Sequence, residues 1–318
     1  MKEAMFWDGS RCNLCPRRCI IPEEGVGVCK VRKNENGTLY SLNYGKLTAV
    51  HVDPIEKKPL FHFYPGSEIL SIGSSGCNFM CKNCQNWEIS QRFIDTEFTP
   101  PEKIVEMAKP YGMIAFTYNE PTVFYEYAYD VAKLAKKRGL KTVWVSNGYI
   151  NDEPLKKIAK YLDAANIDFK GFNNRVWMEL VGGVKLDTFL DRLKAWAKTK
   201  IHLELTYLII PNWNDKDIEP AVKWIKDNVG DVPLHFSRYF PMYKLMEKPT
   251  PIQTLKHAYE IGKKYLSYVY VGNAPELDLE NTYCPKCGEL VIKRYGYIVE
   301  SSLKDGKCPK CGEKIATA

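Results

Sequence analysis

Residues 68–84 read EILSIGSSGCNFMCKNC. The opening EILSIG is a short apolar run of strand length, and it breaks into a Ser/Gly loop that sets Cys77, Cys81 and Cys84 at C-x3-C-x2-C spacing. Thiolates are soft ligands that select zinc, copper(I) or iron–sulfur clusters, and a closed tetrahedral structural site takes four of them. Three thiolates leave one position open. On a four-iron cluster, that is one iron the protein does not coordinate and a small molecule can. A zinc site completed by a distant residue, or a disulfide plus a free thiol, are the alternative readings of the triplet.

From about residue 68 to 275, short apolar runs alternate with amphipathic segments of helical period, which reads as repeated βα units on a parallel sheet. Strands are expected at EILSIG (68–73), GMIAFTY (112–118), KTVWVSN (141–147), AANIDFK (164–170), HLELTYLII (202–210) and PLHFSRY (233–239), with YVYVGN (268–273) as a seventh edge. TVFYEYAYDVAKLAKKRG predicts a helix stopped at Gly139, and TPIQTLKHAYEIGKKYL predicts another. No G-x-G-x-x-G follows the first strand, so the α/β fold expected is a partial (βα)6 TIM-like barrel rather than an open doubly wound sheet. Chemistry in such a barrel sits on the loops leaving the C-terminal strand ends. Here these are the three-cysteine loop, YNEP, SNG, DFKG, IPNWND and HFSRY.

The 318 residues, 45% hydrophobic and 13% aromatic, suffice for one large domain with small appendages and exclude a disordered or fibrous chain. No basic segment leads into an apolar one at the start, and no run approaches the roughly 18 apolar residues of a membrane span, so a soluble, cytoplasmic protein without membrane insertion is expected. In a reducing cytoplasm the eleven cysteines point to metal ligation before disulfides. The net charge of +7 is compatible with an anionic ligand or nucleic acid, but Lys and Arg alternate with acidic residues in segments such as DEPLKKIAKYLD, which reads as a solvated face.

The cysteines divide as four, three and four, which sets the expected organisation: a cysteine-rich N-terminal module (1–63), a barrel core (64–280) and a C-terminal module (281–318). At the C-terminus CPKCG occurs twice, and Cys284, Cys287, Cys308 and Cys311 read as a zinc ribbon, with a rubredoxin-like iron or an auxiliary cluster as the rival. The N-terminal Cys12, Cys15, Cys19 and Cys29 follow C-x2-C-x3-C-x9-C. All four ligands are local, so zinc is the first expectation there and a second iron–sulfur cluster the alternative.

The C-x3-C-x2-C loop after a first strand resembles the radical S-adenosylmethionine (radical SAM) superfamily. The resemblance implies a 4Fe-4S cluster on Cys77, Cys81 and Cys84 whose open iron is chelated by S-adenosylmethionine. One electron then cleaves the cofactor to a 5′-deoxyadenosyl radical that abstracts a hydrogen atom. YNEP stands where the family has a Gly-Gly-Glu-Pro-like segment, which nominates Glu120. Ser146 and Asn147, then Asp168 and Lys170, close the next strands as candidate cofactor contacts, and His235 resembles a histidine near the ribose in glycyl-radical activating enzymes. Each also has a structural reading: Glu120 as a helix cap, Ser146 and Asn147 as turn residues, Asp168 with Lys170 as an ion pair, His235 as a core histidine. The chain departs from the family in having Asn83, not an aromatic residue, before the last cluster cysteine, so that adenine stacking comes from Phe79 or Trp87 or is absent, and in lacking paired glycines on the second strand.

DPIEKKPLFHFYPGS, SIGSSGCNFMCKNCQNWEIS, FTYNEPTVFYEY and NTYCPKCGELVIKRYGY look like the pyruvate formate-lyase activase-related radical enzymes of the AmmeMemoRadiSam group, over nearly the whole chain. That likeness implies an oxidoreductase or activase-like enzyme, a ferredoxin or flavodoxin as electron donor and Memo-like and AMMECR-like partners. Its substrate would be a protein, as in glycyl-radical activases, or another hydrogen donor. The rival readings are a zinc-stapled nucleic-acid-binding protein and a radical enzyme that modifies RNA.

Overall fold

The computed structural model describes residues 1–317. Its main sheet follows the linear order β11-β10-β9-β8-β7-β6-β5-β4. The strands are β4 (Leu47–Pro54), β5 (Glu68–Ser74), β6 (Met113–Phe116), β7 (Lys141–Ser146), β8 (Ala164–Asp168), β9 (His202–Ile209), β10 (Leu234–Arg238) and β11 (Val269–Gly272). All seven strands expected from the apolar runs are present. The pairings β5 with β6, β6 with β7, β9 with β10 and β10 with β11 are parallel, with Leu70 opposite Ile114 and His235 opposite Thr206. The runs are legible because parallel strands are covered on both faces: all four residues of β6 are buried, as are six of seven in β5. The eighth strand, β4, carries no such signal, since only Asp53 in it is buried and it ends in Pro54.

The chain packs as two compact units, the first comprising Met1–Asp53, Ile69–Ala165 and Asp187–Ile201, the second Pro54–Glu68, Asn166–Leu186 and His202–Ala318. In the first, helices α1 (Trp87–Ser90), α2 (Pro101–Ala108), α3 (Tyr125–Lys137) and α4 (Asp152–Ile158) connect the strands. Tyr125, Ala128, Val131, Ala132 and Ala135 on α3 are buried at helical spacing, and Gly139 follows its end with φ +75°. The N-terminal residues form a three-stranded sheet of β1 (Lys2–Glu3), β2 (Arg32–Glu35) and β3 (Thr38–Ser41), ordered β1-β3-β2. Too small for a core of its own, this module borrows one: Cys29 and Val31 pack with Val123, and Arg32 forms a buried ion pair with Glu126 on α3.

The second unit holds α6 (Ile218–Asn228) and α7 (Ile252–Tyr265), while α5 (Leu186–Ala197) runs almost wholly in the first. Its C-terminal sheet has the order β12 (Thr282–Tyr283), β13 (Leu290–Tyr295), β14 (Ile298–Ser301). A buried strap spans residues 55–63, where Ile55, Glu56, Leu60, Phe61, His62 and Phe63 are all under cover. Arg294 on β13 grips it, with Nη2 donating to the Phe61 carbonyl at 2.9 Å and the guanidinium 4.0 Å from the Phe61 ring centroid.

Candidate active site

The three-cysteine loop starts where β5 ends. Its entry is clamped on several sides: Asn43 Nδ2 donates to the Ser75 carbonyl at 3.0 Å, the Gly76 amide to the Ile89 carbonyl at 2.8 Å, and Asn119 Nδ2 to the Gly76 carbonyl at 2.6 Å. Gly76 has φ +90°, and a Cβ there would lie 2.5 Å from the Cys29 carbonyl oxygen and 2.7 Å from Val31 Cγ1. The N-terminal module therefore presses backbone against backbone at the first residue before Cys77. A Cβ on Gly73 would lie 2.9 Å from the Thr117 carbonyl oxygen. The glycines absent from the second strand's loop are thus matched by glycines on the first, where that loop comes close.

Gly76→Ala is expected to destabilise the protein by about 2 kcal/mol or more, combining left-handed backbone strain with a clash against unyielding backbone. Gly9→Ala, at φ +96° with nothing within 4 Å of the added Cβ, isolates the strain alone. Thermal midpoints of the two variants check this, and equal losses would show that the close approach is relieved at no cost.

Glu120 sits at the centre of a buried network. It is 1% exposed. Its carboxylate accepts from the Thr122 amide at 2.9 Å, Ser146 Oγ at 2.8 Å and the Asn147 amide at 2.8 Å. Asn147 Nδ2 in turn donates to Asn78 Oδ1 at 2.8 Å and lies 3.8 Å from Cys77 Sγ. Three residues nominated from two strand ends, Glu120 after β6 and Ser146 with Asn147 at the end of β7, thus converge on the cysteine loop. Glu120 also caps the 3-10 turn Pro121–Phe124. Burial pushes its carboxyl up, against the donors from Thr122, Asn147 and Ser146 that favour the charged form.

The thiols are held by local donors: the Phe79 amide is 3.3 Å from Cys77 Sγ, and Ser90 Oγ is 3.2 Å from Cys84 Sγ. Burial and then the Glu120 charge hold the Cys77 thiol well above its ordinary value, so ionising it as a ligand calls for the positive charge of bound metal. The soft donor set and the amide and hydroxyl donors at its sulfurs fit an iron–sulfur cluster.

Sequence reasoning missed Asn78, Tyr118 and Asn119. Asn78 links Asn147 to the Tyr149 carbonyl at 2.9 Å and lies within the C-x3-C spacing, the one signal that marked it. Tyr118, at φ +71°, donates its hydroxyl to Asp53 at 2.6 Å, and its carbonyl accepts from Asn86. Phe79 is 1% exposed and packs on Tyr149 at 5.2 Å between ring centroids, whereas Trp87 is 39% exposed.

Asp168, Lys170 and His235 belong to the second unit. Lys170 Nζ pairs with Asp168 at 2.9 Å. His235 Nε2 lies 2.6 Å from Glu204, whose fully buried carboxylate also accepts from the Phe61 amide at 3.0 Å, the His62 amide at 2.8 Å and His202 at 2.9 Å. These are the contacts of the structural readings, an ion pair and a core histidine.

At the C-terminus the ligand sulfurs of Cys284, Cys287, Cys308 and Cys311 all lie within 4.8 Å of one another, with Cys284 to Cys311 at 3.5 Å and Cys287 to Cys308 at 3.7 Å. Tetrahedral ligation at a zinc–sulfur distance of ~2.3 Å sets sulfurs ~3.8 Å apart, so the group can hold one metal ion. The two knuckles repeat each other bond for bond: the Gly288 amide donates to Cys284 O and that of Gly312 to Cys308 O, both at 2.9 Å. Burial works against ionising Cys284, but the Cys287 and Lys286 amides and the Cys311 thiol outweigh it and bring its pKa down to about 7.

Among the described residues no helix is long and apolar enough to cross a membrane. Residues 71–225 match the family described as the Radical SAM superfamily. The chain is 46% identical over 311 residues to "Uncharacterized protein MJ0808" of Methanocaldococcus jannaschii, covering 93% of this chain and 92% of that one. It is 26% identical over 147 residues to the pyruvate formate-lyase-activating enzyme of Clostridium pasteurianum, 44% of this chain and 61% of that one. SuiB of Streptococcus suis, solved bound to S-adenosylmethionine, shares the fold at TM-score 0.55 and 14% identity, over 73% of this chain and 56% of that one. With a three-thiolate loop on the first parallel strand and a family match that begins within that strand, the chain belongs to the radical SAM superfamily of enzymes.

Proposed function

We propose that Cys77, Cys81 and Cys84 anchor a 4Fe-4S cluster with one open iron, and that the chain uses it on S-adenosylmethionine to abstract a hydrogen atom from a substrate of the glycyl-radical-protein kind. The observation that carries the reading is the convergence of Glu120, Ser146 and Asn147 on the loop that bears the three thiols. When bound, the cluster supplies the single electron that cleaves the sulfonium to a 5′-deoxyadenosyl radical.

The chain's own residues do the holding. Asn147 and the Phe79 amide orient donors toward Cys77 Sγ, and such hydrogen bonds to ligand sulfurs tune a cluster's potential. Glu120 fixes the ends of β6 and β7 against each other, so the loops that would receive the cofactor start from rigid strands. The protein-substrate class rests on the activating enzyme among the relatives, and the electron donor would be of ferredoxin or flavodoxin type. Memo-like and AMMECR-like proteins are its proposed partners.

Anaerobic reconstitution with iron and sulfide, reduction with dithionite and addition of S-adenosylmethionine should yield 5′-deoxyadenosine by chromatography. A protein that carries the cluster and binds S-adenosylmethionine but never forms this product, with or without candidate glycyl-radical proteins, would refute the reading.

The C-terminal thiols are proposed as a structural zinc site. Cys308→Ser is expected to release close to one equivalent of zinc and to open β13 and β14 to protease, because their small core is built on Cys284 and Cys308 with Val291, Ile292 and Ile315. Zinc analysis and limited proteolysis check this, and an unchanged digestion pattern would deny the metal its structural role.

A further inference from the structure

Four cysteines on a short chain segment suit a closed zinc site or an iron–sulfur cluster equally well, and ligand identity alone does not separate them. Sulfur spacing does. A single tetrahedral ion gathers its thiolates to ~3.8 Å. A cluster spreads them over separate irons around a sulfide core.

The molecule contains its own standard for the first case, the C-terminal group with all sulfurs within 4.8 Å. Among the described residues no other three His, Cys, Asp or Glu ligand atoms are so close, neither the radical loop's Cys77, Cys81 and Cys84 nor Cys12, Cys15, Cys19 and Cys29. The four N-terminal cysteines instead line one pocket, together with Leu14, Ile21 and Arg32.

The walls of this pocket suit an anionic cluster. Arg32 lines it while only 1% exposed; its Nη1 lies 3.7 Å from Cys12 Sγ, and its Nε has no hydrogen-bond partner among the described residues. A buried guanidinium with an unused donor is costly unless something negative completes it, and Glu126 takes only one edge. Asn78, between Cys77 and Cys81, lines the same pocket and receives Arg17 Nε on its carbonyl at 2.9 Å.

We infer that Cys12, Cys15, Cys19 and Cys29 bind a second iron–sulfur cluster, not zinc. All of its protein-facing positions are filled by thiolates, so it presents no open iron and binds no small molecule of its own. Its cradle shares Asn78 with the radical loop.

The test uses the full chain, purified without oxygen, with Cys77, Cys81 and Cys84 all changed to alanine. It should stay brown and hold about two to four irons, matched by equal acid-labile sulfide, as a two-iron or four-iron centre requires, alongside one zinc. Serine at Cys12, Cys15, Cys19 and Cys29 in that background should remove the iron and sulfide and leave the zinc.

A colourless triple variant with two zinc ions and no sulfide would overturn the inference. If the triple variant fails to fold, the unmodified chain decides: iron and sulfide clearly above four per polypeptide support a second cluster, and four irons with two zincs refute it. Metal and sulfide counts do not depend on cleavage of S-adenosylmethionine, so this inference and the proposed function can fail separately.

Discussion

Cys81→Ala should abolish 5′-deoxyadenosine formation, lowering it by more than about 100-fold. Losing even an outer-shell partner of a metal ligand typically costs 10–100-fold, and this change removes a ligand itself. Cys77 and Cys84 alone would leave the cluster one protein ligand short. Iron content should fall by the share of one four-iron cluster, while the C-terminal zinc stays, because that site folds around its own four cysteines and its own small core. Product formation, iron and zinc measured on one preparation separate the cases. Loss of zinc together with iron would indicate general misfolding, and retained product would remove Cys81 from the site.

Glu204→Ala should cost about 3–5 kcal/mol of stability, the usual penalty for stripping one side from a buried charged network. The carboxylate is fully buried and is the acceptor for two backbone amides and two histidine rings, so alanine leaves the Phe61 and His62 amides and the rings of His202 and His235 without it. A fall in melting temperature of roughly 10 °C is expected. A loss below about 1 kcal/mol would mean that water or a rearranged strap satisfies these groups instead.

The same cluster makes stability depend on pH. Burial, the largest cause, holds His62 down to about 4 from its ordinary 6.5, with Nδ1 against the Ile315 carbonyl at 2.6 Å and Nε2 against the Tyr270 hydroxyl at 2.6 Å. The unfolded chain takes up this proton near pH 6.5 and the folded one only near 4. Stability therefore falls as pH drops through that interval, by about 2 kcal/mol between pH 7 and 5. Glu204 does not add to the loss there. Burial alone would raise its pKa, but the bonds and charge of His202 and His235 hold it well below the carboxylate range, so its contribution persists above pH ~4.3 and disappears only at more acid pH. His62→Asn should flatten the slope between pH 7 and 5, and a slope unchanged from the parent would assign the pH dependence elsewhere.

The sequence by itself determined what rests on short-range pattern. Parallel strands covered on both faces must be apolar runs, so β5 through β11 were legible one by one. Ligands within one loop or knuckle turn have their spacing written in the chain, so the three-thiolate site and the paired CPKCG turns were legible too.

Only the tertiary structure decided what depends on chain segments meeting. β4 has little buried surface to mark it. Glu120 reaches Ser146 and Asn147 across 26 and 27 residues, and Glu204 reaches Phe61 and His62 across 143 and 142. The charged-looking strap IEKKPLFHF proved largely buried because Glu204 and Arg294 satisfy its polar groups from distant strands. The N-terminal cysteines carry an equal count of ligands to the C-terminal ones and line one pocket, yet among the described residues it is the C-terminal four whose sulfurs are gathered within 4.8 Å of one another. Residue type sets which metals a thiolate accepts, whereas the distance between thiolates is set by packing.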